Sequence, residues 1–367
     1  AFERAIAYGG DVTLSDDITL LETVVIKADN AVNLNLNGKT ITGNWQKGNG
    51  ALIMNNGNLT IVGGTISSTG DNGGSAIQNN GTLTVNDATL NGAPNANGSW
   101  PSYSVNNTGV MTLENTTITS YHGAVASYND GAVVTLNNCT IDMAGIPAFT
   151  SHGIYTYNSG KVVVNGGEYM NRATDQASSG ASVINGAVEV NAGTFSGRIE
   201  NYYGTPVLKG GTFSVKPNNK FIAAGYKAVE VKGGYMVVPE NVSVVYGDAV
   251  TAAIKGANAT VHVMPNEDDS ATLLEGKLSM AKGVTLKGMG ETPVKLFNDW
   301  GSNAFANQAH FTNTHIENIH FTNNLIIDAG IANGDVKFVN CVFGGDLAHQ
   351  GVHFDSGNGI ITFENCT

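Results

Sequence analysis

An apolar anchor residue recurs along most of this chain about every 24 residues, and no other feature limits the possible folds so tightly. Segments related to Val134-Thr135-Leu136-Asn137-Asn138-Cys139-Thr140-Ile141 place the anchor at Leu36, Ile61, Val85, Leu113, Leu136, Val164, Val190, Leu208 and Val231. Alternate residues before each anchor are apolar, as in Leu34/Leu36, Leu59/Ile61, Leu83/Val85 and Val188/Val190. That period of two is the signature of a strand with one buried face. Two positions beyond the anchor stand Gly38, Gly63, Asp87, Asn115, Asn138, Gly166, Gly210 and Gly233. These residue types tolerate the left-handed backbone region, so each marks a bend between two strands. In the Val190 repeat Ala192 occupies the position, and the bend is assigned to its neighbour Gly193.

Beyond the bend a second strand turns Ile41, Ile66, Leu90, Ile118, Ile141, Tyr169, Phe195, Phe213 and Met236 inward. Thr40, Thr65, Thr89, Thr117, Thr140, Thr194 and Thr212 form an outward column. A third strand precedes the anchor and ends in Asn55-Asn56-Gly57, Asn79-Asn80-Gly81, Asn107-Thr108-Gly109, Asn129-Asp130-Gly131 or Asn158-Ser159-Gly160, which predicts a stacked asparagine ladder. One coil of three short strands cannot bury its own apolar face, so stability has to come from stacking. Parallel crossovers are right-handed. The expected fold is therefore all-β: a right-handed parallel β-helix, three strands and about 24 residues per coil.

Composition agrees and removes several function classes. The 47 glycines suit many tight turns, and 13% charged residues is too few for a disordered chain. A net charge of −12 argues against a nucleic-acid partner. No apolar run is long enough to span a bilayer, so direct membrane insertion is not expected of this segment. The three cysteines, Cys139, Cys341 and Cys366, fit neither a disulfide framework nor a zinc site. Cys139 reads as a small buried residue. Cys341 and Cys366 lie one coil apart and read as stacked free thiols. The repeat falters at Pro239 and resumes near Val284. This divides the chain into a β-helix over 1–238, a β-rich connector over 239–270 and a second β-helix over 271–367. The amphipathic segment Phe2–Tyr8 is expected to cap the first. The chain opens at Ala1 and stops at Thr367 within a repeat, so further domains of the same chain are expected as partners.

The coil pattern resembles the pectate-lyase-like superfamily over most of the length. The stretch from Gly210-Gly211-Thr212-Phe213-Ser214 to Tyr235-Met236-Val237-Val238 is similar to segments of adhesin-like surface proteins of gut bacteria. The resemblance implies an extracellular or cell-surface location, with a phage tail or fibre on a virion as the rival setting. It also implies a test for chemistry, because β-helix enzymes that cleave acidic polysaccharides use calcium-binding carboxylates with a basic residue, or a carboxylate pair. Asp142 has Thr119 and Met170 as register neighbours, Glu168 has Thr140 and Thr194, and Glu200 has no obvious acidic neighbour. Arg172 and Arg198 are candidate partners for such carboxylates. The histidines lack metal-ligand spacing, and no nucleophile motif or phosphate loop occurs. No catalytic residue, metal or cofactor is assigned, and a polysaccharide lyase or glycoside hydrolase is the disfavoured alternative.

Aromatic residues give a stronger signal. Tyr128, Tyr155 and Tyr157 face outward on neighbouring coils, with Tyr202 and Tyr203 nearby. The long inter-coil loops carry Trp45, Trp100, Phe149 and His152. Exposed rings on a flat sheet suit stacking against sugars or a partner surface. The expected function is a non-enzymatic binding or adhesion module for a glycan or protein surface ligand. Its contacts are expected from Tyr128, Tyr155, Tyr157, Tyr202, Trp100 and Trp45.

Overall fold

The structure is a computed structural model. It describes residues 2–44, 50–70, 72–95, 103–143, 151–172, 181–247, 249–274, 280–298, 308–309, 312–322, 325–328, 334–344, 352–355 and 359–367. The chain is a right-handed parallel β-helix divided into two compact units, Ala1–Pro239 and Glu240–Thr367.

In the first unit the anchor strands form one continuous parallel ladder. Leu34, Ile61, Val85, Leu113, Leu136, Val164, Val190 and Leu208 stack in register and are all buried. The bend then turns the chain onto a second face. Asp87, Asn115 and Asn138 take positive φ of 54°, 46° and 51°, and Gly193 carries the bend beside Ala192 at 122°. The bend side chains also form a ladder of their own, Asn138 Nδ2 donating to Asn115 Oδ1 at 2.9 Å and Asn115 Nδ2 to Asp87 Oδ1 at 3.2 Å. On the second face Ile41, Ile66, Leu90, Ile118, Ile141, Tyr169, Phe195 and Phe213 point into the core. The last three rings stack, with centroids 4.8 and 5.0 Å apart. The third face runs through Val24–Ile26, Ala51–Asn55, Asn72–Asn79, Tyr103–Asn107, Gly123–Tyr128, His152–Tyr157, Ser182–Asn185 and Ile199–Glu200. The helix Phe2–Tyr8 begins the unit and buries Ile6 in its core.

The register departs from the sequence reading in four places. Leu34, not Leu36, is the first anchor, because Leu34 pairs with Ile61. The first bend is two residues wider than those that follow, using both Asn37 and Gly38 at positive φ, and Leu36 is buried within it. At the other end Val231, Gly233 and Met236 do not form another coil. Tyr226–Val231 and Gly234–Pro239 form an antiparallel hairpin, and its second strand pairs antiparallel with Thr212–Phe213. A sheet edge paired in this way presents no further parallel template. The asparagine ladder holds three members. Asn55 Nδ2 donates to Asn79 Oδ1 at 2.7 Å, and Asn79 Nδ2 to Asn107 Oδ1 at 2.7 Å. The next coils place Ser127 and Thr156 at this position. Asn129 and Asn158 lie two residues further on, as turn residues with φ of 75° and 47°. A Cβ at Gly81, beside the ladder, would run into the carbonyl oxygen of Gly57 one coil below.

The fourth difference concerns residues 239–270. Val242–Val245 and Thr260–Val263 are not connector strands. They pair parallel with each other and then with Thr285–Gly288, so they are rungs of the second unit. Thr314–Glu317, Val336–Val339 and Ile361–Glu364 continue that sheet. Val261, Leu286, Ile316 and Phe338 form part of its core. Cys139, Cys341 and Cys366 are free, and Cys139 and Cys341 are buried, as expected of small inward residues.

The ladder makes a quantitative expectation. Replacing Asn79 by Ala removes one of the two acceptors of the buried Asn55 amide and one of the two donors to the buried Asn107 Oδ1, leaving Thr82 O and Gly109 N–H. The loss should be about 2 kcal/mol in urea unfolding, against a negligible loss for Gln78→Ala on the outer side of the same strand. Equal effects of the two substitutions would contradict the ladder.

Candidate functional site

The third face gathers aromatic rings from several coils because its register is fixed. Tyr103, Gly123, His152 and Ser182 share one position, and Ala126, Tyr155 and Asn185 share another. Tyr128 and Tyr157 stack directly. Tyr202 and Tyr203 follow the last short strand, where the Tyr202 backbone N–H donates to Asn185 Oδ1 at 3.0 Å. Gly123 has a specific role. A Cβ there would collide with the ring of Tyr103. Without one, Tyr103 lies across the intervening coil and stacks on Tyr155, centroids 5.4 Å apart and planes 19° apart.

The result is a packed cluster with few free faces. Tyr155 lies parallel to His152 at 5.2 Å and to Tyr157 at 6.4 Å. Tyr128 meets Tyr155 edge-on, and Tyr203 meets both Tyr155 and Tyr157 edge-on. The sequence suggested a platform of open ring faces. In the structure Tyr128 and Tyr155 are half-buried, because edge-to-face and offset stacking of neighbouring rings is favourable in itself. Tyr157, Tyr203 and Tyr202 are the exposed members, Tyr202 most of all at 81%. Four of the expected contact residues, Tyr128, Tyr155, Tyr157 and Tyr202, are thus brought together. Trp45 and Trp100, like Phe149, lie outside the described residues. Tyr103 was missed, and the signal for it is Gly123, which leaves room for its ring.

The cluster is electrically quiet. Burial pushes the phenol pKa of Tyr103, Tyr128 and Tyr155 upward, and for Tyr155 the neighbouring Tyr203 adds to the effect. Tyr103 is 3% exposed, and its buried hydroxyl has no hydrogen-bond partner. Burial lowers the His152 pKa to about 4, so its ring is neutral at physiological pH. Its Nδ1 lies 2.8 Å from Ser182 Oγ, and its Nε2 lies 3.5 Å from Asn185 Nδ2. This surface can offer apolar edges and uncharged hydroxyls. Glu200 stands one register step beyond Asn185 and two beyond Tyr155, so a carboxylate borders the cluster.

The other candidate acids lie elsewhere. Asp142 has Thr119 and Met170 as register neighbours and pairs with Arg172 through two hydrogen bonds, of 3.1 and 2.9 Å. Glu168 lies between Thr140 and Thr194. Among the described residues no group of three or more His, Cys, Asp or Glu is placed to hold a metal ion. Compared with protein-family models, curated proteins and solved structures, the chain matches none. Its function has to be argued from its own geometry.

His152 carries a pH expectation whose sign is fixed. Its folded pKa of about 4 lies below the unfolded value of about 6.5, so the folded state resists protonation. The contribution is fully present above about pH 6.5 and declines as pH falls through this window, and the loss totals about 3 kcal/mol once both states are protonated. Thermal unfolding of the parent protein should therefore lose more stability between pH 6.5 and 4 than that of His152→Asn. Identical pH slopes would show that His152 titrates normally.

Proposed function

We propose that this protein is a non-enzymatic binding module, part of a larger surface-displayed protein on a pectate-lyase-like scaffold, and that it recognises glycans through the tyrosine cluster of the third face. The observation that carries the reading is the convergence of Tyr128, Tyr155, Tyr157, Tyr202 and Tyr203 on one surface, with three of them exposed. Tyrosine combines a rigid apolar ring with a hydroxyl, which suits the alternating apolar and hydroxyl faces of a sugar. The internal stacking fixes the rings before any ligand arrives, so little conformational entropy is lost on binding.

Adhesion to a host or partner surface follows from the same geometry when the glycan is displayed on a cell. A cleaving role is less well supported. Glycoside hydrolysis requires two carboxylates flanking one bond, and among the described residues Glu200 alone stands in register with Tyr155.

A glycan array probed with the parent protein, followed by reducing-sugar and unsaturated-product assays on each ligand bound, tests this reading. Binding without turnover is expected. Tyr202→Ala and Tyr157→Ala should each weaken it by about tenfold, about 1.4 kcal/mol. Turnover that disappears in Asp142→Asn, or glycan binding that neither tyrosine substitution affects, would overturn it.

A further inference from the structure

The second face of the first unit holds a groove that neither the repeat nor the tyrosine cluster accounts for. Two residues beyond the threonine column, Thr42, Ser67, Asn91, Thr119 and Asp142 form a second outward column in register. Over its last four members lies a cavity of about 670 Å³. That falls within the range of small-molecule sites, roughly 300–1,000 Å³. The strand Ala93–Asn95 borders it. This strand pairs antiparallel with Asn72–Asn79, a departure from the parallel stack that brings Pro94 into the lining.

The chemistry of the lining is specific. Thr119 Oγ1 donates to Asn91 Oδ1. Ser67, on the outward side of its strand, contributes to the lining. Tyr121 adds an exposed ring. At one end Arg172 donates Nε and Nη2 to the two carboxylate oxygens of Asp142. This pair uses two of five guanidinium donors and about half of the carboxylate lone-pair sites, leaving both groups able to bond outward side by side. A pair of neighbouring hydroxyls meets that arrangement, one donating to the carboxylate and the other accepting from the guanidinium. The opposite charges cancel, so the groove offers no net charge for an anion. An acidic sugar would also have to approach the Asp142 carboxylate.

We propose that this groove is a second binding site, for a short neutral oligosaccharide, with the Asp142–Arg172 pair reading two adjacent hydroxyls and Tyr121 packing against a ring face. The proposal shares its ligand class with the tyrosine-face reading but none of its residues. Among the described residues Asp142 is the one carboxylate in the lining, which suits binding rather than hydrolysis.

The test is calorimetric titration and saturation-transfer NMR with maltotriose, cellotriose, mannotriose and trigalacturonate. At least one neutral trisaccharide should bind, more tightly than trigalacturonate. Asp142→Asn, Arg172→Gln and Thr119→Val should each weaken it by about tenfold, and Tyr202→Ala should not change it. The Asp142–Arg172 pair is exposed, so its substitutions should leave the fold intact, as checked by the thermal midpoint. Failure of every neutral trisaccharide to bind, preference for trigalacturonate, or binding insensitive to both Asp142→Asn and Arg172→Gln would overturn the proposal. Binding lost in Tyr202→Ala but kept in Asp142→Asn would overturn the groove alone. The reverse pattern is the result expected for the groove, and the tyrosine face stands or falls on its own glycan array.

Discussion

Each coil of the first unit hydrogen-bonds to the coil below and the coil above, at the spacing of about 4.8 Å that parallel strands impose. A residue's nearest neighbours are therefore its counterparts one coil away, and every property of the molecule is a property of a column. Inward columns such as Leu34–Ile61–Val85–Leu113 make the core. The Asn55–Asn79–Asn107 column satisfies amides that would otherwise be costly to bury. The Asp87–Asn115–Asn138 column lets the backbone turn in a left-handed conformation at each coil.

The two candidate surfaces arise where a column is interrupted. Glycine at position 123 opens the space into which Tyr103 leans, and this draws rings from several coils into one cluster. A column of threonine-like residues that ends in Asp142, beside an antiparallel excursion of the chain, gives a hydroxyl-lined groove. Both surfaces are held by the ladder beneath them, which is the form expected of a preorganised site.

Most of the architecture was legible because it repeats. Apolar alternation, bend residues at fixed spacing and the threonine column each recur often enough to identify a strand, a turn and a face. What was hidden depends on single events that break the period. The wide first bend moved the anchor from Leu36 to Leu34, since two inserted residues of the right type preserve the alternation. The hairpin at Tyr226–Pro239 keeps the apolar pattern of a coil, and periodicity alone does not distinguish parallel from antiparallel pairing. Asn129 and Asn158 imitate the ladder motif two residues out of place. At the sites, Tyr128, Tyr155 and Tyr157 could be found from outward alternation, and Tyr202 from its nearness to them. Tyr103 could not, because its contact with Tyr155 reaches past a whole coil. The groove was partly visible in Asp142 and Arg172, but its walls depend on an antiparallel strand with no repeat behind it.

Register is the claim on which both surfaces rest, and disulfide trapping measures it directly. With Cys139, Cys341 and Cys366 replaced by alanine, paired cysteines are introduced at Thr84 and Thr112, which stack in register. A second pair is placed at Thr84 and Glu114, two residues out of register. Stacked positions about 4.8 Å apart lie within disulfide range, whereas the offset pair is too far apart. Rapid intramolecular cross-linking of Thr84→Cys/Thr112→Cys, with little for Thr84→Cys/Glu114→Cys, is the predicted result. Preferential cross-linking of the offset pair would contradict the stacking on which the core, the tyrosine cluster and the groove all depend.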